Sequence, residues 1–367
     1  MKIAMIGLRG LGDGMGGIEK AVREISVRMV SEGHNVTCYC KSNYSNEAQF
    51  QGVALRNIPT VKGKYLETML YSIRAIIEAS RKDYDVIHIH ALASSCLAWI
   101  PKFIYSKKVI ITVHGLDWQR AKWGFCARQL LKFGEWASAK FTDMTICVSR
   151  SLSLYYKMKY SREEICYIPN GCDKSEDKYD AWDEFESQKY FLYLGRLVRE
   201  KGVHRLIEAY QAAKTDKKLI IAGPDSDPKY SKELHEMAKS NPNIIFTGAV
   251  YDQEKIKLLS NAYLFILPSE IEGLPIALLE AGSYGVCSAV SHIPTCDEVI
   301  DNKILSSAFS FDPYDSTEIK TVLELADQCP QVVKSLASKL QNHILNEYNW
   351  DDISSDTLAA YDRLVNV

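Results

Sequence analysis

Long apolar runs are missing from this sequence. None approaches the roughly 20 residues that a helix needs to span a bilayer, so a transmembrane helix is excluded. The opening MKIAMIGL has one lysine and only six apolar or small residues between Lys2 and Arg9, which indicates a first β-strand and argues against a signal peptide. We therefore expect a cytoplasmic protein.

A strong charge of one sign is also missing. The formal net charge is −2, so there is no bulk electrostatic reason to expect a nucleic-acid partner. The ten cysteines include no C-x-x-C pair, and most lie in apolar segments, which predicts reduced core residues. Cys38 and Cys40 share one face of a strand, but no second pair of ligands lies nearby to complete a metal site.

The chain has enough apolar residues to form two hydrophobic cores. The chain has 367 residues, 47% apolar and 25% charged, which is typical of a globular protein with two domains. Apolar strands alternate with helical patterns, which predicts parallel sheets covered by helices on both faces. We predict strands at 2–8, 35–40, 53–58, 85–90, 108–113, 143–149, 164–168, 190–194, 218–224, 243–248, 263–269 and 286–290.

The first strand leads into a glycine-rich loop, RGLGDGMGGIEK. This loop satisfies the G-x-G-x-x-G pattern of dinucleotide-binding proteins with Gly12, Gly14 and Gly17. The second strand, however, ends without the acidic residue that would bind a ribose. An NAD(P)-dependent oxidoreductase is therefore only an alternative. We interpret the loop as anion-binding backbone, with Gly16 and Gly17 at a helix N-terminus.

Histidines mark the ends of two later strands. His88 and His90 alternate with isoleucines, and we expect both to pack in the core or at the strand tip. His114 directly follows a strand in TVHGLDW, with Asp117 close by, at the rim where open α/β folds bind ligands. We predict that His114 belongs to the ligand site. The alternative is a structural histidine whose hydrogen bonds are satisfied by its neighbours at the end of the strand.

Residues 118–140 are both basic and aromatic. Trp118, Trp123 and Trp136 are interleaved with lysines and arginines. A helix of this composition is suited to an anionic membrane surface. The alternative is a helix that packs two tryptophans on the sheet and leaves its basic face in solvent.

A change of composition separates the two halves of the chain. Residues 172–189 are acidic and polar, which indicates an interdomain connection. The strand at 190–194 is followed by GRLVREKG, where Arg196 and Lys201 are suited to phosphate oxygens. A solvated basic loop is the alternative. Pro224 and Val250 follow two of the next strands and are candidates for a nucleobase pocket.

The stretch SEIEGLPIALLEAG contains Glu272 and, after seven intervening residues, Glu280. Leu274-Pro275 is expected to begin a helix, with proline at an early position where its missing N–H costs nothing. We expect Glu272 in the loop between strand and helix and Glu280 about two turns along the helix, and a spacing of eight residues returns to nearly the same face. Carboxylates accept hydrogen bonds from vicinal hydroxyls, and the backbone N–H groups of Gly273 and Leu274 are suited to a phosphate. The stretch predicts a site for a sugar joined to a phosphate, the alternative being two exposed glutamates on an ordinary helix.

GGIEK, TVHGLD, IPNG, GR(x4)KG and E(x7)E together resemble, in this order, the retaining glycosyltransferases of family 4. The start of the chain and HGLDWQRAKWG…GEWAS are more similar still to the bacterial rhamnosyltransferase-like branch, which builds capsule and O-antigen polysaccharides. The resemblance implies an α/β GT-B fold, with two Rossmann-like, doubly wound parallel-sheet domains facing each other across a cleft. Residues 1–170, joined by a C-terminal helix at about 350–367, would bind the acceptor, and residues 171–349 the nucleotide sugar.

The resemblance also implies roles for the motif residues. His114 and Glu272 are implied to be catalytic, and Glu280 to bind the ribose. The groups implied to bind the donor diphosphate are the side chains or backbone of Gly16, Gly17, Arg196, Lys201, Gly273 and Leu274. The first loop is richer in glycine than in common relatives, so the acceptor stays open, and its candidate contacts are Arg9, Asp13 and Asp117.

The implied reaction moves a sugar, with retention, from a nucleotide-diphosphate donor to a saccharide acceptor, which we expect to be lipid-linked. Only the branch resemblance suggests rhamnose. Cations and N–H donors would stabilise the leaving diphosphate, and we assign no D-x-D motif to a suitable strand end, so we expect transfer without a metal or cofactor. We expect peripheral contact with the inner face of the plasma membrane through Trp118–Lys140. A sugar-nucleotide epimerase and a non-catalytic membrane-associated scaffold are further alternatives.

Overall fold

The structure is a computed structural model that describes residues 1–12, 14, 16–61, 63, 66–120, 122–173, 185–300 and 309–366. The chain falls into two compact units. Unit 1 comprises Met1–Gly171 together with Trp350–Val367, and unit 2 comprises Cys172–Asn349.

Unit 1 is built on an eight-stranded sheet with the order β3-β4-β2-β1-β5-β6-β7-β8. All neighbouring strands are parallel except the short β3, which runs antiparallel to β4. The strands are β1 (Lys2–Ile6), β2 (Asn35–Lys41), β3 (Gln49–Phe50), β4 (Val53–Ile58), β5 (Val86–Ile89), β6 (Lys108–Val113), β7 (Met144–Cys147) and β8 (Ile165–Tyr167). The helices are α1 (Gly17–Ser31), α2 (Leu66–Ser80), α3 (Leu92–Ser95), α4 (Phe125–Lys140) and α5 (Arg150–Tyr160).

Unit 2 has a six-stranded parallel sheet with the order β11-β10-β9-β12-β13-β14. Its strands are β9 (Tyr190–Leu194), β10 (Lys218–Ala222), β11 (Ile244–Gly248), β12 (Leu264–Leu267), β13 (Ser288–Ser291) and β14 (Ser310–Phe311). Its helices are α6 (Val203–Ala212), α7 (Pro228–Ala238), α8 (Asp252–Ser260), α9 (Ile276–Ser283), α10 (Pro294–Ile300), α11 (Ser316–Gln328) and α12 (Pro330–Glu347). Every residue of YFLYL in β9 is buried, as expected for a strand covered on both faces.

The last helix, α13 (Trp350–Val365), belongs to unit 1, although the chain reaches it from unit 2. It packs against α1, where Arg28 Nε lies 2.6 Å from a carboxylate oxygen of Asp351. Trp350 and Tyr361 are fully buried. Burial of large aromatic side chains like these contributes roughly 1.5–3 kcal/mol each, which explains how this helix is held.

Each sheet has a switch point, where the strand order reverses. In unit 1 the chain moves outward from β1 to β2 and β4 and then returns to β5 on the other side of β1. In unit 2 the same reversal separates β9 from β12. Ligands of doubly wound sheets bind outside the carboxyl ends of the strands at such points. The predicted α/β architecture of two doubly wound parallel sheets is confirmed.

Helical patterns near 91–105 and at 118–140 predict two continuous helices, and the structure differs from both. The segment 91–105 contains α3 and a separate π-helical turn at Ile100–Ile104 instead of one helix. The helix predicted from residue 118 begins only at Phe125, after a 3₁₀ turn at Asp117–Gln119. Gly124 takes an extended conformation at the N-cap of α4, which sets the helix start. Trp118 and Trp123 therefore precede α4 and do not belong to it.

Candidate active site

The loops that follow β9 and β12 meet at the switch point of unit 2. Gly202 has φ +67°, and a Cβ there would lie 2.0 Å from the carbonyl oxygen of Pro268. Only glycine allows both that conformation and this close approach. The backbone N–H of Glu270 donates to the carbonyl of Glu200 at 2.9 Å, and Arg205 pairs with Glu270 at 2.7 Å. The glycine of the GR(x4)KG motif thus joins the two loops.

This joining brings Lys201 and Glu272 into contact. The lysine Nζ donates to the Glu272 carboxylate, and both side chains are largely buried. The two residues are 71 positions apart in sequence. The structure therefore places together two residues that the sequence assigned to the same ligand, at the edge of the sheet where ligands bind.

Arg196 lies on the same side of this switch point. It follows β9 directly, and the Tyr193 hydroxyl donates to its carbonyl oxygen at 3.0 Å. Burial raises the pKa of the Tyr193 phenol, the charge of Glu272 raises it further, and the charge of Arg196 lowers it. The charges of Arg196 and Glu272 thus both act on the Tyr193 hydroxyl.

Glu280 lies on α9 and is buried at 6% exposure. Its carboxylate accepts a hydrogen bond at 2.6 Å from Nζ of Lys255, on α8. Sequence reasoning missed Lys255, because the pairing joins two helices and leaves no local pattern. The pairing with Lys255 holds this buried carboxylate in position.

The start of α9 corrects one expectation. The helix begins at Ile276, with Pro275 as an extended N-cap residue, so Gly273 and Leu274 lie in the loop before it. Glu272 lies in the strand-to-helix loop, as predicted, whereas Glu280 lies only about one turn into α9 instead of about two. The two carboxylates are positioned by separate contacts, Glu272 by Lys201 and Glu280 by Lys255.

The nucleobase candidates lie at the ends of β10 and β11. Pro224 is exposed, and its carbonyl accepts from the N–H of Leu197 at 3.1 Å, so it lies beside the loop of Arg196. Gly223 donates its N–H to the carbonyl of Gly248 at 2.7 Å, which ties the ends of β10 and β11 together. Val250 is buried. The backbone hydrogen bond from Leu197 therefore connects Pro224 to the charged loop after β9.

The expectation that no D-x-D motif lies at a suitable strand end was wrong. A D-x-D tripeptide does follow a strand, because Asp225-Ser226-Asp227 comes just after β10. Its carboxylates have local partners: Asp227 caps α7, and Asp225 accepts from the Ser231 hydroxyl at 2.6 Å. Among the described residues there is no group of three or more His, Cys, Asp or Glu placed to hold a metal ion.

In unit 1 the loop after β1 is held by an ion pair. Arg9 Nε lies 2.9 Å from a carboxylate oxygen of Glu19, on the first turn of α1. Burial opposes ionisation of Glu19, but the hydrogen bonds and charge of Arg9 outweigh it and keep the pKa of that carboxyl lowered. Gly16 is the N-cap of α1, and a Cβ there would lie 2.8 Å from Arg9 and 2.9 Å from Glu19. Gly16 and Gly17 do lie at a helix N-terminus, whereas Asp13 lies outside the described residues.

A histidine cluster lies at the carboxyl ends of β5 and β6. The rings of His88 and His90 have centroids 3.9 Å apart, and His90 Nδ1 lies 3.4 Å from His114 Nε2. His88 contacts Thr112 at 2.8 Å and the Tyr361 hydroxyl of α13 at 2.6 Å. Burial lowers the pKa of His88 to about 3 and that of His114 to about 4, and puts the pKa of His90 well below its ordinary value. All three rings are therefore neutral near pH 7, and the charge of Glu19 favours protonation of His114 too weakly to change this.

Asp117 begins the 3₁₀ turn after His114 and pairs with Arg120 at 3.3 Å. The adjacent Trp118 donates its indole N–H at 2.6 Å to Glu135, which is fully buried. Glu135 also accepts hydrogen bonds from three side chains of α5: Tyr155, Lys159 and Tyr160. Sequence reasoning missed Glu135. This network ties the loop after His114 to α4 and α5.

Two tryptophans of the basic, aromatic segment are packed inward. Trp118 and Trp123 pack against the core of unit 1, as the packing alternative required. Three aromatic side chains of α4 are exposed to solvent: Phe125 by 77%, Phe133 by 45% and Trp136 by 41%. Membrane contact of this segment stays a prediction. No helix in the described part of the chain is long and apolar enough to cross a membrane.

Two family models match this chain, one after the other. Residues 15–176 match the model described as Glycosyltransferase Family 4, and residues 174–342 match the model described as Glycosyl transferases group 1. Two doubly wound sheets with these matches define a glycosyltransferase with the GT-B fold.

Curated relatives agree with this class. A UDP-Gal:alpha-D-GlcNAc-diphosphoundecaprenol alpha-1,3-galactosyltransferase of Escherichia coli is 24% identical over 95% of this chain and 93% of its own length. The D-rhamnosyltransferase WbpZ of Pseudomonas aeruginosa is 30% identical, but over only 38% of each chain. The chain belongs to glycosyltransferase family 4, whose members are retaining enzymes that use nucleotide-sugar donors.

Solved structures show the same fold. Sucrose-phosphate synthase from Thermosynechococcus elongatus has a TM-score of 0.83 at 17% identity, over 99% of this chain and 98% of that one. Anabaena HepE in complex with UDP-glucose has a TM-score of 0.78 at 16% identity, over 98% and 100%. At such low sequence identity, the similarity to these structures establishes the fold alone.

Proposed function

We propose that the Lys201–Glu272 contact at the β9–β12 switch point, with Arg196 beside it, holds the diphosphate and the sugar of the donor. This cluster carries the proposal, because it places two cations and a carboxylate where doubly wound sheets bind ligands. Arginine offers a planar fork for phosphate oxygens and lysine a point charge. A bound phosphate would compete with Glu272 for Lys201 and leave the carboxylate for sugar hydroxyls.

The other residues complete the donor site in this proposal. Glu280, fixed by Lys255, accepts from the ribose hydroxyls, and Pro224 and Val250 border the base. Gly273 and Leu274 offer backbone N–H groups to the sugar phosphate. In unit 1, Gly16 and Gly17 add N–H groups for the diphosphate, His114 contacts the transferred sugar, and Arg9 and Asp117 serve the acceptor.

The chemistry follows from the charge that develops on the leaving group. As the bond between the sugar and the phosphate breaks, negative charge grows on the diphosphate, and Arg196 and Lys201 stabilise it without reorganisation. The acceptor hydroxyl attacks the same face of an oxocarbenium-like sugar, and its proton passes to the departing phosphate oxygen. No carboxylate nucleophile and no metal take part in this step.

We further propose a lipid-linked saccharide acceptor in bacterial surface polysaccharide synthesis, with rhamnose as the first sugar to examine. The name of the E. coli relative specifies a diphosphoundecaprenol acceptor, and that of the Pseudomonas relative specifies rhamnose transfer. The exposed aromatics Phe125, Phe133 and Trp136 would then lie on an anionic membrane.

The donor assignment is tested by thermal unfolding with a panel of ligands. Bound ligand raises the melting temperature by mass action, so UDP, GDP, dTDP and NAD(H) are each added to the wild type in the presence of EDTA. We expect one nucleoside diphosphate to stabilise the protein and NAD(H) to have no effect. Stabilisation by NAD(H) alone would support the oxidoreductase, and turnover of a nucleotide sugar without an acceptor would support the epimerase.

The membrane assignment is tested by sedimentation with vesicles that contain anionic phospholipid. Replacing Phe133 and Trp136 by serine should reduce binding about tenfold, because two apolar side chains no longer enter the interface. Leu154→Ser is the matched control, since Leu154 is an exposed apolar residue on α5. Equal binding of all three proteins would remove the membrane role.

A further inference from the structure

A methionine contacts the innermost nitrogen of the histidine cluster. Met5, on β1, places its Sδ 3.4 Å from Nε2 of His90. A thioether sulfur carries no hydrogen and can only accept a hydrogen bond. The contact is therefore favourable when His90 carries its proton on Nε2.

This proton fixes the other nitrogen of the ring. His90 is fully enclosed and neutral, so with Nε2 protonated its Nδ1 keeps a lone pair. That lone pair faces His114 Nε2 at 3.4 Å. Two nitrogens at this separation form a hydrogen bond when one of them carries the proton, and it must here be His114 that donates.

The proton on Nε2 of His114 also determines the state of its other ring nitrogen. A neutral His114 that is protonated on Nε2 has an unprotonated Nδ1. No residue in the described part of the chain forms a hydrogen bond with this nitrogen. The opposite arrangement, with His90 protonated on Nδ1, would set a nitrogen lone pair against the lone pairs of the Met5 sulfur.

We propose that Met5 and His90 are positioning residues that fix the tautomer of His114, so that its Nδ1 is a hydrogen-bond acceptor for a hydroxyl of the transferred sugar. This inference rests on the proposed function, which assigns His114 to the sugar. A lone pair at Nδ1 accepts from an O–H group and repels a phosphate or carboxylate oxygen. The fixed tautomer of His114 thus favours a hydroxyl and disfavours an anion beside Nδ1.

His88 takes no part in this proton arrangement. Its two nitrogens contact Tyr361 and Thr112, and its ring only stacks on His90. The charged group that acts on His114 is Glu19 of α1, which is itself paired with Arg9. The proposed proton positions require the rings of His90 and His114 to be neutral, and their burial keeps them neutral.

The tautomer is measured by nitrogen NMR on protein labelled with ¹⁵N-histidine. Long-range proton–nitrogen correlations distinguish a protonated ring nitrogen from one with a lone pair, and His114→Asn identifies the signals. We expect wild-type His114 to be protonated on Nε2 and not on Nδ1. The Nδ1-protonated form of His114 in the wild type would overturn the proposal, whether or not any variant folds.

Met5→Leu removes the sulfur while keeping an apolar side chain of similar size. We expect His114 to become a mixture of tautomers and the donor kcat/KM to fall about tenfold, the effect of one weakened hydrogen bond. Selenomethionine at position 5 retains an acceptor and should preserve the wild-type spectrum. Met29→Leu is the matched control, because Met29 is also fully buried in unit 1 but lies on α1.

The outcomes separate this inference from the proposed function. An unchanged His114 spectrum in Met5→Leu overturns the role of the sulfur, and full transfer activity in that variant overturns the positioning role. The NMR measurement needs no substrate. A wild type that neither binds nor consumes a nucleotide sugar would therefore contradict the proposed function while leaving the tautomer result standing.

Discussion

The two sheets present opposite kinds of polar groups at their switch points. Unit 2 carries charge: Lys201 contacts Glu272, and Lys255 contacts Glu280. Unit 1 carries neutral imidazoles at the ends of β5 and β6, where burial lowers the pKa of His88 to about 3 and of His114 to about 4. Two similar sheets in one chain thus present chemically different groups to a ligand. Fixed charges suit a diphosphate, and neutral acceptors suit hydroxyl groups.

The largest effect should come from removing the cations of unit 2. We expect Arg196→Ala and Lys201→Ala each to lower kcat about 10²–10³-fold, because preorganised charge on the leaving group is lost. The matched control is Arg199→Ala, in the same loop, because Arg199 is exposed and pairs with Glu233. Steady-state transfer kinetics measure both. Equal activity of Lys201→Ala and Arg199→Ala would erase the proposed difference between the units.

The backbone contact that assembles the charged loops should come next. We expect Gly202→Ala to lower the free energy of unfolding by about 2–3 kcal/mol, because it combines a left-handed backbone with a collision against the Pro268 carbonyl. Gly248→Ala is the control: Gly248 has φ +72° with no atom within 4 Å, so strain alone should cost about 1 kcal/mol. Urea unfolding measures both. Equal losses would show that the approach of the two loops does not matter.

Acid should weaken unit 1 through its histidines. Their folded pKa values lie below the ordinary value of 6.5, so as the pH falls below 6.5 the unfolded chain binds protons that the folded chain does not. Stability should therefore fall between pH 6.5 and 4, by about 2 kcal/mol for each of His88 and His114 at pH 5.

Thermal or urea unfolding at pH 7, 6 and 5 measures this acid effect. His88→Asn should show a shallower dependence on pH. His292→Asn, which alters an exposed histidine of unit 2, should behave like the wild type. Identical pH profiles for all three proteins would contradict the neutral state of the buried cluster.

The smallest effect should come from Glu280→Gln. The substitution keeps the shape of the side chain but removes the charge that Lys255 and a ribose would share, so we expect the donor KM to rise about tenfold with kcat nearly unchanged. Glu236→Gln, on the exposed surface of α7, is the control. A fall in kcat with an unchanged KM would place Glu280 at the reacting bond instead.

Much of the fold could be predicted because buried parallel strands leave continuous apolar runs. KVIITV and YFLYL were both placed at their observed bounds, and the chain order of the strands then fixes the switch points. Lys201 and Glu272 could be assigned to one ligand because each lies in the loop after a strand of the same sheet. Their direct contact depends on Gly202, whose left-handed conformation is not visible in the pattern.

Other features could not be predicted, because they depend on contacts between distant elements. Lys255 pairs with Glu280 across two helices, and Glu135 is surrounded by groups from the 3₁₀ turn and α5. Helix starts were misplaced where a residue in an extended conformation caps the helix, as Gly124 does for α4 and Pro275 for α9. Helical periodicity alone does not reveal such caps.

Calorimetric titration of the nucleoside diphosphate that stabilises the wild type measures the central claim most directly. The titration compares the wild type with Lys201→Ala and Arg199→Ala, all in EDTA. The account predicts that Lys201→Ala binds at least about tenfold more weakly, as expected when a charged hydrogen bond is lost, and that Arg199→Ala binds like the wild type. Equal affinity of all three proteins would contradict it.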